Sequence, residues 1–117
     1  MGDLTKNFSK TEFACKCCGK AIVDPLFIAQ LQKARDIVGV PFVINSGYRC
    51  EKHNREVEGG SNSQHLHGKA ADVAYNSSLQ GYMILNGLIK AGFTRLGIAK
   101  NFIHADTGNL RPALWTY

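Results

Sequence analysis

Ser63-Gln64-His65-Leu66-His67-Gly68-Lys69-Ala70-Ala71-Asp72 is the densest run of chemically active residue types in the chain, and its reading decides the fold. His65 falls in a polar, glycine-flanked stretch that predicts a loop. Asp72 falls inside an apolar run, Ala70 to Tyr75, that predicts a short strand. A carboxylate pointing inward from such a strand is costly unless something compensates its charge, and a cation would do so. His104, between Ile103 and Ala105, has a similar setting on what should be a neighbouring strand. Two imidazoles and one carboxylate leave zinc a fourth position for water, as in catalytic rather than structural sites. Zinc there would lower the pKa of water and polarise a peptide carbonyl. Spacing alone leaves a plainer reading open, in which the three are polar groups satisfied within a core.

Outward from this stretch, Pro41-Phe42-Val43-Ile44-Asn45-Ser46 reads as a strand closed by Gly47, and residues 50–64 as a long surface loop. The clearest helix runs from Pro25 to Val38, where Phe27, Ile28, Leu31, Ala34, Ile37 and Val38 recur at helical spacing. Asp24 is placed to cap it, Pro25 suits its first position, and Gly39 suits its end. Ser77 or Ser78 is placed to cap a second helix to about Ala91, burying Ile84, Leu85, Leu88 and Ile89, with Gly92 as terminator. Residues 95–99, 102–105 and 114–117 supply the remaining strands. Ser9-Lys10-Thr11-Glu12 has capping-box spacing ahead of Phe13. This order predicts a small α+β domain with a mainly antiparallel sheet and helices packed on it.

At 117 residues the chain predicts one domain over 1–117, and 44% hydrophobic residues suffice for one core. The net charge of +5 favours polyanionic partners, among them nucleic acid, anionic lipid and bacterial wall polymer. The basic residues are scattered, without a run or an interleaved aromatic stripe, which argues against nucleic acid. No stretch approaches the roughly 18 apolar residues that argue for a membrane span. Met1 to Ser9 lacks the apolar core of a secretory signal, so the expectation is cytoplasmic synthesis and action on the wall after release, unless a leader has been removed.

Ser46-Gly47-Tyr48-Arg49, Asn54, Gly59-Gly60, Ser63-Gln64-His65, Gly68, Ala70, Asp72 and Phe102-Ile103-His104-Ala105-Asp106 together resemble the zinc D-Ala-D-Ala carboxypeptidase family. These cell-wall peptidases are related to the vancomycin-resistance dipeptidases, to phage L-alanyl-D-glutamate endopeptidases and, in fold, to the hedgehog signalling domain. The likeness runs from about Phe8 to Trp115. It implies a zinc peptidase acting on peptidoglycan stem peptides, as a carboxypeptidase or an endopeptidase; the small size, net basic charge and missing leader fit a phage or prophage lysis protein, and a monomer is expected. The likeness implies His65, Asp72 and His104 as zinc ligands, Arg49 as the residue gripping substrate, and Ser63 as a group that orders the His65 loop or touches substrate. Gly68 would let the backbone turn between two ligands.

The chain departs from relatives at the general base. Some carry an acidic residue three positions before the last histidine, where this chain has Asn101; others carry a histidine two before it, where this chain has Phe102. Asp106 is the best remaining carboxylate, either as base or as a group orienting an imidazole, and His67 is a further candidate. The departure keeps a rival reading open, a zinc-containing binding module without catalysis. A nucleic-acid-binding zinc domain, resting on the cysteines and the charge, is a weaker rival.

Cys15 and Cys18 form a C-x-x-C, and Cys50 and His53 a C-x-x-H. They could make a structural Cys₃His zinc site joining the N-terminal turn to the loop after Arg49. Free thiols and disulfides are the alternatives, and Cys17 has no obvious partner.

Overall fold

The computed structural model describes residues 2–57, 59–60, 63–108 and 111–117. Among these, three α-helices, α1 (Pro25–Val38), α2 (Glu51–Glu56) and α3 (Ser78–Lys90), accompany five strands: β1 (Ile44–Ser46), β2 (Ala70–Ala74), β3 (Arg95–Ile98), β4 (Phe102–Asp106) and β5 (Ala113–Thr116). Short 3-10 turns cover Lys10–Phe13 and Gln64–His67. The strand order is β1-β2-β4-β3-β5. Neighbours pair antiparallel except β3 with β5, which are parallel. The expected α+β class with a mainly antiparallel sheet is therefore the one observed.

Local chemistry sets the helix limits. The Asp24 carboxylate accepts from Phe27 N at 3.0 Å, and Pro25 occupies the first turn. Gly39 closes α1 at φ 79°, a left-handed backbone suited to glycine. Of the two serines that could cap α3, Ser77 does so, its Oγ accepting from Gln80 N at 3.1 Å. At the N-terminus, Glu12 reaches back to the Ser9 N–H at 2.7 Å. Two expectations need correcting. Residues 50–64 contain α2, whose first turn is capped by the Cys50 thiol accepting from His53 N; residues 58, 61 and 62 lie outside the described set. The predicted strand at 41–46 narrows to β1, because Pro41 has no N–H for a ladder and the register slips between Ile44 and Ser46.

The sheet keeps its two faces apart by the strict alternation of strand side chains. Ala71 and Val73 of β2, Ile103 and Ala105 of β4 and Leu96 of β3 join Phe27, Ile28, Leu31 and Ala34 of α1 and Ile84 and Leu88 of α3 in one core. Phe8, Phe13 and Phe42 extend it toward the N-terminus, with Phe8 and Phe13 meeting edge to face at 5.8 Å. The opposite face carries the polar residues. Ser46, Asp72, His104, Gly97 and Trp115 are successive cross-strand partners, forming one row across all five strands. A one-residue slip in β2 or β4 would send Asp72 or His104 into the apolar core, so core and site fix the same register.

The helical stripes are narrower than the periodicity predicts. Ile37 is 43% exposed and Ile89 54% exposed, at the margins of their helices, while Leu31 is fully buried. Leu31→Ala is therefore expected to cost ~2–5 kcal/mol of unfolding free energy, against ~1 kcal/mol or less for Ile37→Ala. Urea denaturation of both variants measures the difference, and equal losses would contradict this packing.

Candidate metal centre

Asp72 and His104 face each other across the β2–β4 ladder, and the 3-10 turn before β2 brings His65 to the same point. Gly68 makes that approach geometrically feasible. It turns the chain at φ 69°, and a Cβ there would run into the Ile22 carbonyl. Ser63 caps the turn, its Oγ accepting from His65 N at 3.3 Å. All three site residues are buried, at 2% exposure for His65, 5% for Asp72 and 6% for His104.

The hydrogen bonds fix how each imidazole is protonated. His65 Nδ1 lies 2.6 Å from the Gly47 carbonyl, which can only accept, so Nδ1 carries the proton and Nε2 keeps its lone pair. His104 Nε2 lies 2.7 Å from Asp106 Oδ2 and donates to it, leaving His104 Nδ1 to face inward. The inward atoms converge on one carboxylate: His104 Nδ1 is 3.0 Å and His65 Nε2 3.3 Å from Asp72 Oδ1. His65 Nε2 is buried without a hydrogen bond in acceptable geometry, despite that short separation. Three acceptors meeting in a buried spot repel unless a proton or a cation sits among them.

The electrostatics carry the same signature. Burial opposes ionisation of Asp72, but His104 and His65 overcome it and hold its carboxyl well below the usual carboxylate range. Burial also opposes protonation of His104, but its bonds to Asp106 and Asp72 raise its pKa. Asp106 is lowered against its own burial, chiefly by the His104 hydrogen bond. A divalent ion would satisfy all three inward atoms at once. Tetrahedral zinc with donors at its usual bond lengths separates them by about 3.3–3.5 Å, close to the separations here, and all three ligand atoms lie within 4.8 Å of one another. The donor set fits a metal.

A cleft of about 550 Å³ opens onto this point, bordered by Arg49, Ser63, His65, His104, Trp115 and Tyr117. Arg49 reaches it from the loop after β1. Its Nη2 is 3.6 Å from Asp72 Oδ2, Nη1 donates to Asn54 Oδ1 at 3.3 Å and Nε to Ser46 Oγ at 3.3 Å. Asp106 sits behind His104, with every oxygen engaged: Oδ1 accepts from Arg95 Nε at 2.9 Å and Gly108 N at 3.1 Å, and Oδ2 from His104. His67 is exposed and Asn101 lies in the β3–β4 turn, so neither joins the cluster.

Three contributors were not assigned roles from sequence. Asn54 is buried and ties Arg49 to the Gly60 carbonyl, which its Nδ2 reaches at 3.0 Å. Arg95 clamps Asp106 from the neighbouring strand. Trp115 lies over His104 with ring centroids 5.3 Å apart, and the Arg95 guanidinium is 5.5 Å from its indole. Cross-strand register places Arg95 and Trp115, whereas Asn54 comes from α2 and was the only one of the three to stand in a motif. The structure also gathers Cys15, Cys18 and Cys50, but not His53, whose Nδ1 faces Glu56 Oε1 at 3.8 Å.

Gly97 is the floor on which Trp115 rests; a Cβ there would overlap the indole. Trp115 is the chain's sole tryptophan, so its fluorescence reports this contact directly. Gly97→Ala is expected to shift the emission to the red with an unchanged far-ultraviolet circular dichroism spectrum. An unshifted emission would contradict the packing of Trp115 over the site.

The profile of the peptidase M15 family matches residues 6–106. No curated protein matches the chain. The match covers every element from the first 3-10 turn to the end of β4, including all three members of the buried His-Asp-His cluster. A buried donor set suited to a metal is what a family of metal-dependent peptidases requires, and the chain belongs to the peptidase M15 family.

Proposed function

We propose that the protein is a zinc peptidase that hydrolyses a peptide bond in peptidoglycan stem peptides, as a D-Ala-D-Ala carboxypeptidase or an endopeptidase. The observation that carries this reading is the convergence of His65 Nε2, Asp72 Oδ1 and His104 Nδ1 at the floor of an open cleft. Zinc held there would supply Lewis acidity to the scissile carbonyl and an acidified water. The net charge of +5 suits approach to anionic wall polymer after release from the cell.

The chain's own residues divide the work. His65, Asp72 and His104 hold the metal. Of the two guanidiniums bordering the cleft, Arg95 is bound to Asp106, and Arg49 pairs with a substrate carboxylate or a peptide carbonyl while Asn54 and Ser46 keep it in place. Ser63 orders the His65 turn. Asp106 is a positioning residue: its oxygens are occupied by three donors, and it fixes the His104 ring with Nδ1 toward the metal.

One observation favours a second reading, a zinc-containing module that binds wall peptides without cutting them. Among the described residues bordering the cleft, the carboxylates are Asp72 and Asp106, and both are committed to other partners, so neither is free to act as general base.

Incubating zinc-loaded protein with purified peptidoglycan fragments, and mass-analysing the products, separates these readings. Loss of a terminal D-Ala establishes a carboxypeptidase, and a cut inside the stem an endopeptidase, each abolished by chelator. Intact fragments of several stem chemistries, with zinc bound, would overturn the peptidase reading in favour of the binding module. For Asp106→Asn, the positioning role predicts zinc affinity weakened ~10–100-fold with turnover nearly restored at saturating zinc. A general base would instead lose ~10²–10⁴-fold in kcat at any zinc concentration.

A further inference from the structure

The second cluster of metal-ligating atoms lies outside the cleft. Cys15 is buried, Cys50 half-buried and Cys18 exposed, and their sulfurs lie within 4.8 Å of one another. Cys15 Sγ and Cys50 Sγ are 3.6 Å apart. A disulfide requires about 2.05 Å, whereas two thiolates on tetrahedral zinc, at Zn–S of 2.3 Å, lie about 3.8 Å apart. We propose that Cys15, Cys18 and Cys50 bind a second zinc ion as thiolates, fastening the N-terminal turn to the segment that carries Arg49.

The backbone is arranged for sulfur ligands. Cys15 to Gly19 forms a tight turn in which Gly19 N donates to Cys15 O at 2.8 Å, with Gly19 at φ 75°. This turn directs the N–H groups of Cys17 and Cys18 toward Cys15 Sγ. From the other segment, Cys50 N donates to Cys15 Sγ at 3.4 Å and His53 N to Cys50 Sγ at 3.4 Å. Convergent N–H groups of this kind stabilise thiolate charge. Cys17 is exposed and stands outside the cluster of the other three sulfurs. His53 is turned to Glu56, so the site is built on sulfur rather than on three sulfurs and that imidazole.

The position of the cluster gives it a task. Cys50 follows Arg49 directly, and Tyr48 N already donates to Phe13 O at 2.9 Å, two residues before Cys15. An ion joining Cys15 and Cys18 to Cys50 closes a loop of some 35 residues around α1 and β1, which restricts the unfolded chain and holds the Arg49 backbone. This site is independent of the peptidase reading, since it shares no ligand with the His65, Asp72 and His104 cluster.

Elemental analysis of the full chain purified from zinc-supplemented culture tests the proposal. Two zinc ions per chain are expected for the unaltered protein and one each for Cys18→Ser and His65→Ala. Cys18 is exposed, so its serine variant is expected to stay folded, with a lower melting temperature. Cobalt substitution gives a second readout: a sulfur-to-cobalt charge-transfer band should persist in His65→Ala and weaken in Cys18→Ser. One zinc in the unaltered protein and none in His65→Ala would overturn the proposal. So would a Cys15–Cys50 disulfide found by mass analysis without reduction, or cobalt binding with no charge-transfer band.

Discussion

The structure turns on one buried carboxylate approached by two imidazoles whose protons are pledged elsewhere. Gly47 O accepts from His65 Nδ1 and Asp106 Oδ2 accepts from His104 Nε2, so with both rings neutral the atoms turned toward Asp72 are lone pairs. An arrangement of this kind is expensive to bury without a positive charge at its centre. The surrounding residues make it permanent: Gly68 bends the chain toward it, Arg95 and the Gly108 N–H hold Asp106, and Trp115 covers His104.

The sheet makes this constellation compatible with a small core. Alternation along β2 and β4 puts Ala71, Val73, Ile103 and Ala105 against the helices, and Asp72 and His104 on the reverse. The same register therefore serves stability and chemistry. Ser46, Asp72, His104, Gly97 and Trp115 form one row across five strands. That row passes from an arginine partner through two candidate ligands to an aromatic cover, each contributed by a different strand.

Much of this was legible in the sequence because it is local or periodic. α1 announces itself through Asp24, Pro25, its apolar spacing and Gly39, and the His65 to Asp72 segment through the contrast of a polar turn and an apolar strand. The motif residues also pointed to the three members of the cluster. What stayed hidden depends on long-range register or on small structures with little periodicity. Arg95 meets Asp106 only because β3 pairs with β4 in that frame. α2 spans six residues, is capped by a thiol, and is held by Asn54 contacts no local pattern reports. Spacing alone grouped His53 with the cysteines, but the helix turns its ring toward Glu56. Ile37 and Ile89 fit the helical stripe and yet lie at its edge, where burial depends on the neighbouring element rather than on period.

The central claim is that a metal ion occupies the point where His65, Asp72 and His104 meet, and diffraction from zinc-loaded crystals across the zinc absorption edge tests it most directly. The account predicts an anomalous peak bounded by His65 Nε2, Asp72 Oδ1 and His104 Nδ1, facing the cleft beside Arg49. A zinc-loaded crystal with no peak among those atoms, or with either histidine turned to ligate through its other nitrogen, would contradict it.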